Sequence, residues 1–235
     1  MKIELWKKPQ NVTIIEGFPG FGLVGTISTE FLLDHLETVK IGSIWFSEMN
    51  PIVAVHDKKV IDPLGIFYNK KYNLVILHTI TNIKGVEWKL ANVLEEMAKK
   101  LKAKEVISIE GVGAVGKEKG GCEAYYYSKI KSKKWDKVGI KPLEEGIIMG
   151  VSASLLLKAD KVPISCIFAE TKTGLPDSRA AAKIIEVLDK YLGLGVDYKP
   201  LLKKAEQFEE KIKTIVKKAN VVKTNSEERE ISYMG

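Results

Sequence analysis

The sequence holds only two cysteines, three histidines and two arginines in 235 residues. Cys122 and Cys166 stand 44 residues apart, with no second thiol near either. A structural zinc site wants thiolates two to four residues apart, and a redox couple wants Cys-x-x-Cys. Both patterns are missing, so the cysteines read as reduced, mostly buried thiols of a cytoplasmic protein. His35, His56 and His78 share no metal-ligand spacing, and no metal is expected. Of the 37 basic residues, 35 are lysine and only Arg179 and Arg229 are arginine. Arginine is the side chain that grips guanine bidentately and stacks on bases. The net charge of +7 therefore does not read as a nucleic-acid signature. Abundant Lys and Glu beside just two glutamines, Gln10 and Gln207, fits a thermophile surface instead. Long apolar runs are absent: residues 151–157 give seven positions including two serines, and residues 74–77 give four. A bilayer span needs about 18–20, so a soluble chain with no membrane partner is expected. Residues 1–10 carry three lysines and no apolar run, so no signal peptide is expected there.

What is present is an ordinary globular composition, 45% hydrophobic and 29% charged, which excludes global disorder. The length suits one large α/β domain, with or without a short appendage. Residues 12–16, 39–46, 74–78, 106–110 and 164–170 read as strands. The uninterrupted Leu-Val-Ile-Leu of residues 74–77 is the pattern of a strand covered on both faces. Residues 22–36 predict a helix with Leu23, Ile27, Phe31 and Leu36 on one face, and residues 86–101 predict another. Asp177 is placed to cap a helix that runs to Leu192 and stops at Gly193 and Gly195. Short antiparallel strands are expected between residues 50 and 70, and an extension between 120 and 145. Strands alternating with helices imply a three-layer α/β/α domain over residues 1–195 with a mostly parallel central sheet.

Residues 198–220 predict a C-terminal helix. Leu201, Ala205, Phe208, Ile212, Ile215, Ala219 and Val222 recur at spacings of 4, 3, 4, 3, 4 and 3. This is either an a/d oligomerisation seam or an amphipathic helix lying on its own domain. The segment 196–222 is thus an oligomerisation or packing helix, and 223–235 a flexible tail. The tail is polar until Ile231, Tyr233 and Met234, whose apolar side chains invite a partner.

Three constellations could carry chemistry. Gly20-Phe21-Gly22-Leu23-Val24-Gly25 satisfies G-x-G-x-x-G after a strand and before a helix, the setting of a pyrophosphate cradle. Glu48 stands where a ribose-binding carboxylate would be sought. Phe18, Pro19 and Phe21 bring bulk and a fixed φ to a loop that nucleotide binders keep small. The second constellation is topological: Glu16, His78, Glu110 and Glu170 end core strands, with Glu48 just past a fifth. Parallel strands would bring them to one edge, to hold a metal, work as an acid–base pair, accept backbone N–H bonds, or face a subunit. The third is basic: Lys129, Lys131, Lys133, Lys134 and Lys137 near Tyr125–Tyr127 and Trp135, either a single-strand stacking platform or a solvated face. No serine lies in a G-x-S-x-G elbow.

Residues 16–25, Glu-Gly-Phe-Pro-Gly-Phe-Gly-Leu-Val-Gly, resemble the N-terminal signature of the proteasome assembly chaperone family, in particular archaeal relatives of the second member of the eukaryotic pair. Gly174-Leu175-Pro176-Asp177-Ser178-Arg179 with Ala180–Ala182 looks like that family's later motif, and residues 111–121 its glycine-containing loop. The resemblance spans about residues 10 to 192. It implies a phosphorylase/hydrolase-like α/β/α domain with no established catalysis and no cofactor. Gly17, Phe18, Pro19, Gly20, Gly22 and Gly25 form the motif loop, and Pro176 and Asp177 the second motif. It further implies self-association and binding to α subunits of the 20S proteasome or to another large complex. Family tails that dock end in hydrophobic-Tyr-any; here Tyr233 is third from the end and Ser232 precedes it. The residues themselves leave one alternative open, a nucleotide- or nucleoside-binding enzyme using the glycine loop and the strand-end carboxylates.

Overall fold

The computed structural model describes residues 2–48, 54–56, 59–113, 122–130, 134–158, 162–171, 174–199 and 203. The chain divides into two units, Met1–Val196 and Asp197–Gly235, and every element below belongs to the first. In order these are β1 (Lys2–Leu5), β2 (Thr13–Gly17), a 3-10 turn (Phe21–Leu23), α1 (Val24–His35), β3 (Val39–Trp45), β4 (Ala54–His56), β5 (Lys59–Ile61) and β6 (Leu64–Asn69). There follow β7 (Leu74–Thr79), α2 (Glu87–Lys100), β8 (Glu105–Gly113), β9 (Ala124–Ser128), α3 (Lys134–Val138), β10 (Lys141–Pro142), α4 (Gly150–Lys158), β11 (Ile164–Thr171) and α5 (Ser178–Leu192). The seam residues Leu201, Phe208, Ile212 and Ile215 and the tail residues Ile231, Tyr233 and Met234 lie outside the described residues.

Nine strands form one sheet in the order β1-β3-β6-β7-β2-β8-β11-β9-β10. Its centre is parallel, with β7, β2, β8 and β11 running the same way. Its flanks are mixed: β6, β3 and β1 add antiparallel on one side, and β9 adds antiparallel to β11 on the other. The sheet is therefore mixed overall, and the expected parallel pattern describes its middle. The short link between β6 and β7 explains one flank, since a tight turn joins only antiparallel neighbours. β4 and β5 make a separate hairpin.

Helices cover both faces. On one, α2 and α4 pack together over Ile14, Leu77, Val106 and Phe168. On the other, α1 pairs with α5. The alternation of β2 and β8 divides their side chains between these layers, and all six residues of β7 are buried, as its apolar run predicts. Asp177 caps α5 by accepting from the N–H groups of Arg179 and Ala180 at 3.1 and 3.0 Å. Gly193 ends that helix at φ 68°, the left-handed geometry a glycine meets without strain.

Two expectations need correction. α1 begins at Val24 rather than Gly22, because Gly22 and Leu23 both sit at positive φ, 67° and 49°. And Trp135 is no base-stacking platform. It is fully buried, stacked on Tyr191 at 3.8 Å and on Tyr126 at 5.3 Å between ring centroids. Trp135 thus serves the core, whereas Tyr127 stays exposed.

Candidate functional site

The carboxyl ends of β2 and β8 lie side by side, with Glu16 in register with Ser108. Alternation then puts Glu110 on the same face, opposite Phe168 of β11. The first turn of α4 lies over this face and contributes Ser152. A continuous chain of hydrogen bonds results. The Ser108 hydroxyl donates to one oxygen of Glu16, and the Phe18 N–H donates to the other at 3.3 Å. The Ser108 and Ser152 hydroxyls are 2.6 Å apart, and Ser152 donates to Glu110 at 3.2 Å. Burial pushes the Glu16 pKa up to about 8. The Ser108 bond opposes that rise and the nearby Glu110 charge adds to it. Burial likewise raises Glu110 to about 7 against the bonds from Ser152 and the Phe21 N–H. Both carboxyls therefore keep protons well above the usual carboxylate range.

Glu16 and Glu110 line a cavity of about 530 Å³ whose walls include Phe18, Phe21, Ile148, Val151 and Phe168. Pro19 and Gly20 of the motif loop line it as well. Ile147 and Met149 stand at its rim, 88% and 72% exposed. Exposed Asn82 and Lys84 and half-buried Glu87 complete the lining.

The glycine loop is packed by the protein's own atoms. A Cβ on Gly17 would come within 2.2 Å of the Gly25 carbonyl oxygen, so these two glycines let α1 lie directly on β2. A Cβ on Gly20 would fall 1.8 Å from a Glu110 oxygen. The Phe21 N–H already donates to Glu110, and the Leu23 N–H donates to the Gly20 carbonyl at 3.1 Å. A pyrophosphate would meet two carboxyls where it needs open amides. The Asp177 N–H donates to the Gly22 carbonyl at 2.9 Å, and Gly174 lies against the Phe21 ring. The 16–25 loop and the segment holding Pro176 and Asp177 thus form one structural unit.

The remaining strand-end residues do not join this site. His78 is buried, with Nδ1 3.0 Å from the Thr29 hydroxyl and Nε2 2.7 Å from Glu30, both on α1. Glu48 pairs with Lys89 at the surface. Glu170 accepts from Tyr125 at 3.0 Å and lines a neighbouring depression. Among the described residues no group of three or more His, Cys, Asp or Glu is arranged to hold a metal, and no helix is long and apolar enough to cross a membrane. Ser108 escaped the sequence reading and Ser152 was weighed there only as a nucleophile without an elbow, since only the strand register and the placement of α4 bring them between the carboxyls.

The PAC2 family profile matches residues 14–216. This chain belongs to the PAC2 family. The PAC2 fold here is similar to the crystal structure of Pyrococcus furiosus PbaA, an archaeal homolog of proteasome-assembly chaperone. The likeness has TM-score 0.80 and 32% identity, covering 91% of this chain and 96% of that one. Pyrococcus furiosus PbaB, an archaeal proteasome activator, shares the fold at TM-score 0.75 and 20% identity, with 91% and 98% coverage. The Methanocaldococcus jannaschii PAC2 relative MJ0106 is 26% identical over 208 residues, 88% of this chain and 86% of that protein.

Proposed function

We propose that this PAC2 protein is a non-enzymatic, homo-oligomeric binding protein that docks on proteasome subunits or another large complex in the cytoplasm, contributing interfaces rather than a reactive centre. The observation that carries this reading is the 32% identity with PbaA over 91% of the chain. The surface agrees with it. Ile147, Met149, Leu157, Leu175, Trp88 and Phe21 are large apolar side chains left exposed, and apolar surface of this kind marks sites of protein contact where it is contiguous. The seam of Leu201, Phe208, Ile212 and Ile215 supplies self-association, and Ile231, Tyr233 and Met234 supply a docking tip.

Light scattering should give an oligomer for the full chain and a monomer for a version ending at Gly195. Immobilised full-length protein should retain proteasome α subunits and lose them when the last five residues are removed. A monomeric full chain that captures neither α subunits nor any other large complex refutes the reading. The competing enzyme reading has in its favour two buried carboxyls with pKa values of about 8 and about 7, suited to proton transfer near neutrality. A nucleoside and nucleotide panel that shifts the melting temperature would favour it; a flat panel removes it.

A further inference from the structure

Among the described residues, several acidic groups meet a lysine at or near the surface: Glu48 with Lys89, Glu96 with Lys100, Glu186 with Lys183 and Lys190. Glu16 and Glu110 differ. Both face the cavity, and among the described residues neither takes part in an ion pair. Their hydrogen-bond partners are two serine hydroxyls and two backbone amides. Ionising two carboxyls held out of water is costly, so they keep their protons unless a cation is supplied.

We propose that the cavity bounded by Glu16, Glu110, Phe18, Phe21 and Phe168 is a binding site for a small organic cation, a primary ammonium on an apolar body. An ammonium has three donors and no acceptor. Its donors match the two carboxylates, and charge-assisted bonds of this kind are the strong ones. The phenylalanine walls take the apolar body, and their ring faces favour a cation. A cavity of about 530 Å³ is in the range of small-molecule sites. A phosphate or carboxylate ligand would be repelled by the same two groups. A divalent metal wants about six oxygen ligands or retained waters, which the apolar walls do not offer.

Binding displaces protons, so it strengthens as pH rises. The strand carboxyls lining the cavity are Glu16 from β2 and Glu110 from β8, and the buried Cys166 thiol of β11 lies close enough to feel both. Burial and the two carboxyls push that thiol further up, so it stays neutral. Lys84 and Glu87 add opposite charges at the lining.

The test is isothermal titration calorimetry on the full chain with n-hexylamine and phenethylamine, against 1-hexanol, hexanoate and magnesium chloride. Measurements run between about pH 6 and about pH 8 in buffers of different ionisation enthalpy. The amines should bind with release of protons, their affinity rising up to about tenfold per pH unit for each proton displaced. Glu110→Gln should weaken amine binding at least about tenfold, one pKa unit's worth, and leave 1-hexanol unchanged. Hexanol matching hexylamine, an affinity flat with pH, magnesium taking the site in place of the amine, or no heat with amine at millimolar concentration each overturns the proposal. Should Glu110→Gln not fold, the wild-type pH slope and the amine-to-alcohol ratio decide alone. Retention of proteasome α subunits does not depend on these outcomes, so the two readings fail separately.

Discussion

Replacing Glu16 and Glu110 by glutamine should stabilise this protein at alkaline pH and leave it nearly unchanged near pH 5. In the unfolded chain both carboxyls lose their protons as pH rises through about 4.5. In the folded chain they hold them until about 8 and about 7. Between those limits the folded state binds more protons than the unfolded state, so stability falls as pH rises and levels off above about pH 8. Each pKa unit is worth about 1.4 kcal/mol. Glu16 then costs on the order of 5 kcal/mol and Glu110 on the order of 3 kcal/mol at full ionisation. The combined loss is smaller than the sum, because the Glu110 charge is part of what raises Glu16. Glutamine copies the neutral acid: its carbonyl oxygen accepts from the Phe18 N–H and its amide donates to the Ser108 oxygen, whose hydroxyl turns to Ser152. Urea unfolding at a series of pH values reads the effect directly. The wild-type midpoint should drop between about pH 5 and about pH 8, while the double variant stays nearly level. A wild-type midpoint that does not fall, or variants that fall in parallel with it, would refute the reasoning.

Other positions give independent checks. Gly17→Ala puts a methyl group 2.2 Å from the Gly25 carbonyl oxygen and should cost roughly 1–3 kcal/mol; an unchanged melting temperature contradicts the close packing of α1 on β2. Trp135→Ala empties the slot between Tyr126 and Tyr191 and should cost roughly 3–5 kcal/mol in guanidinium unfolding. Asp177→Ala removes the acceptor of the Arg179 and Ala180 N–H groups. It should cost about 1 kcal/mol, with Asp177→Asn close to wild type. A fluorescent single-stranded oligonucleotide should show no binding at about 0.15 M salt; anisotropy rising on titration would mean that the lysines around Trp135 grip a backbone after all.

Much of the scaffold is legible from local pattern. The run Leu74–Leu77 declares a strand buried on both faces, and Asp177 with Gly193 marks both ends of α5. The convergence of acidic strand ends was also readable, but not which of them meet. Glu16 and Glu110 share a face because two parallel strands pair in one register, whereas His78 points to α1 and Glu48 finds Lys89 instead. Pairing register is a long-range property that a short strand pattern does not carry. β1 was missed because four residues of alternating charge at a sheet edge bury little. α3 was missed because five residues hold barely one helical turn. The start of α1 was misplaced by two residues because nothing in a leucine announces the left-handed φ of 49° that Leu23 adopts.

The hydrogen bond from the Asp177 N–H to the Gly22 carbonyl joins two segments separated by some 150 positions of chain. Neither loop can shift without dragging the other. Replacements that look harmless in either loop alone should therefore be inherited in matched pairs, and a chimera that swaps one loop between relatives should fail where a swap of both succeeds.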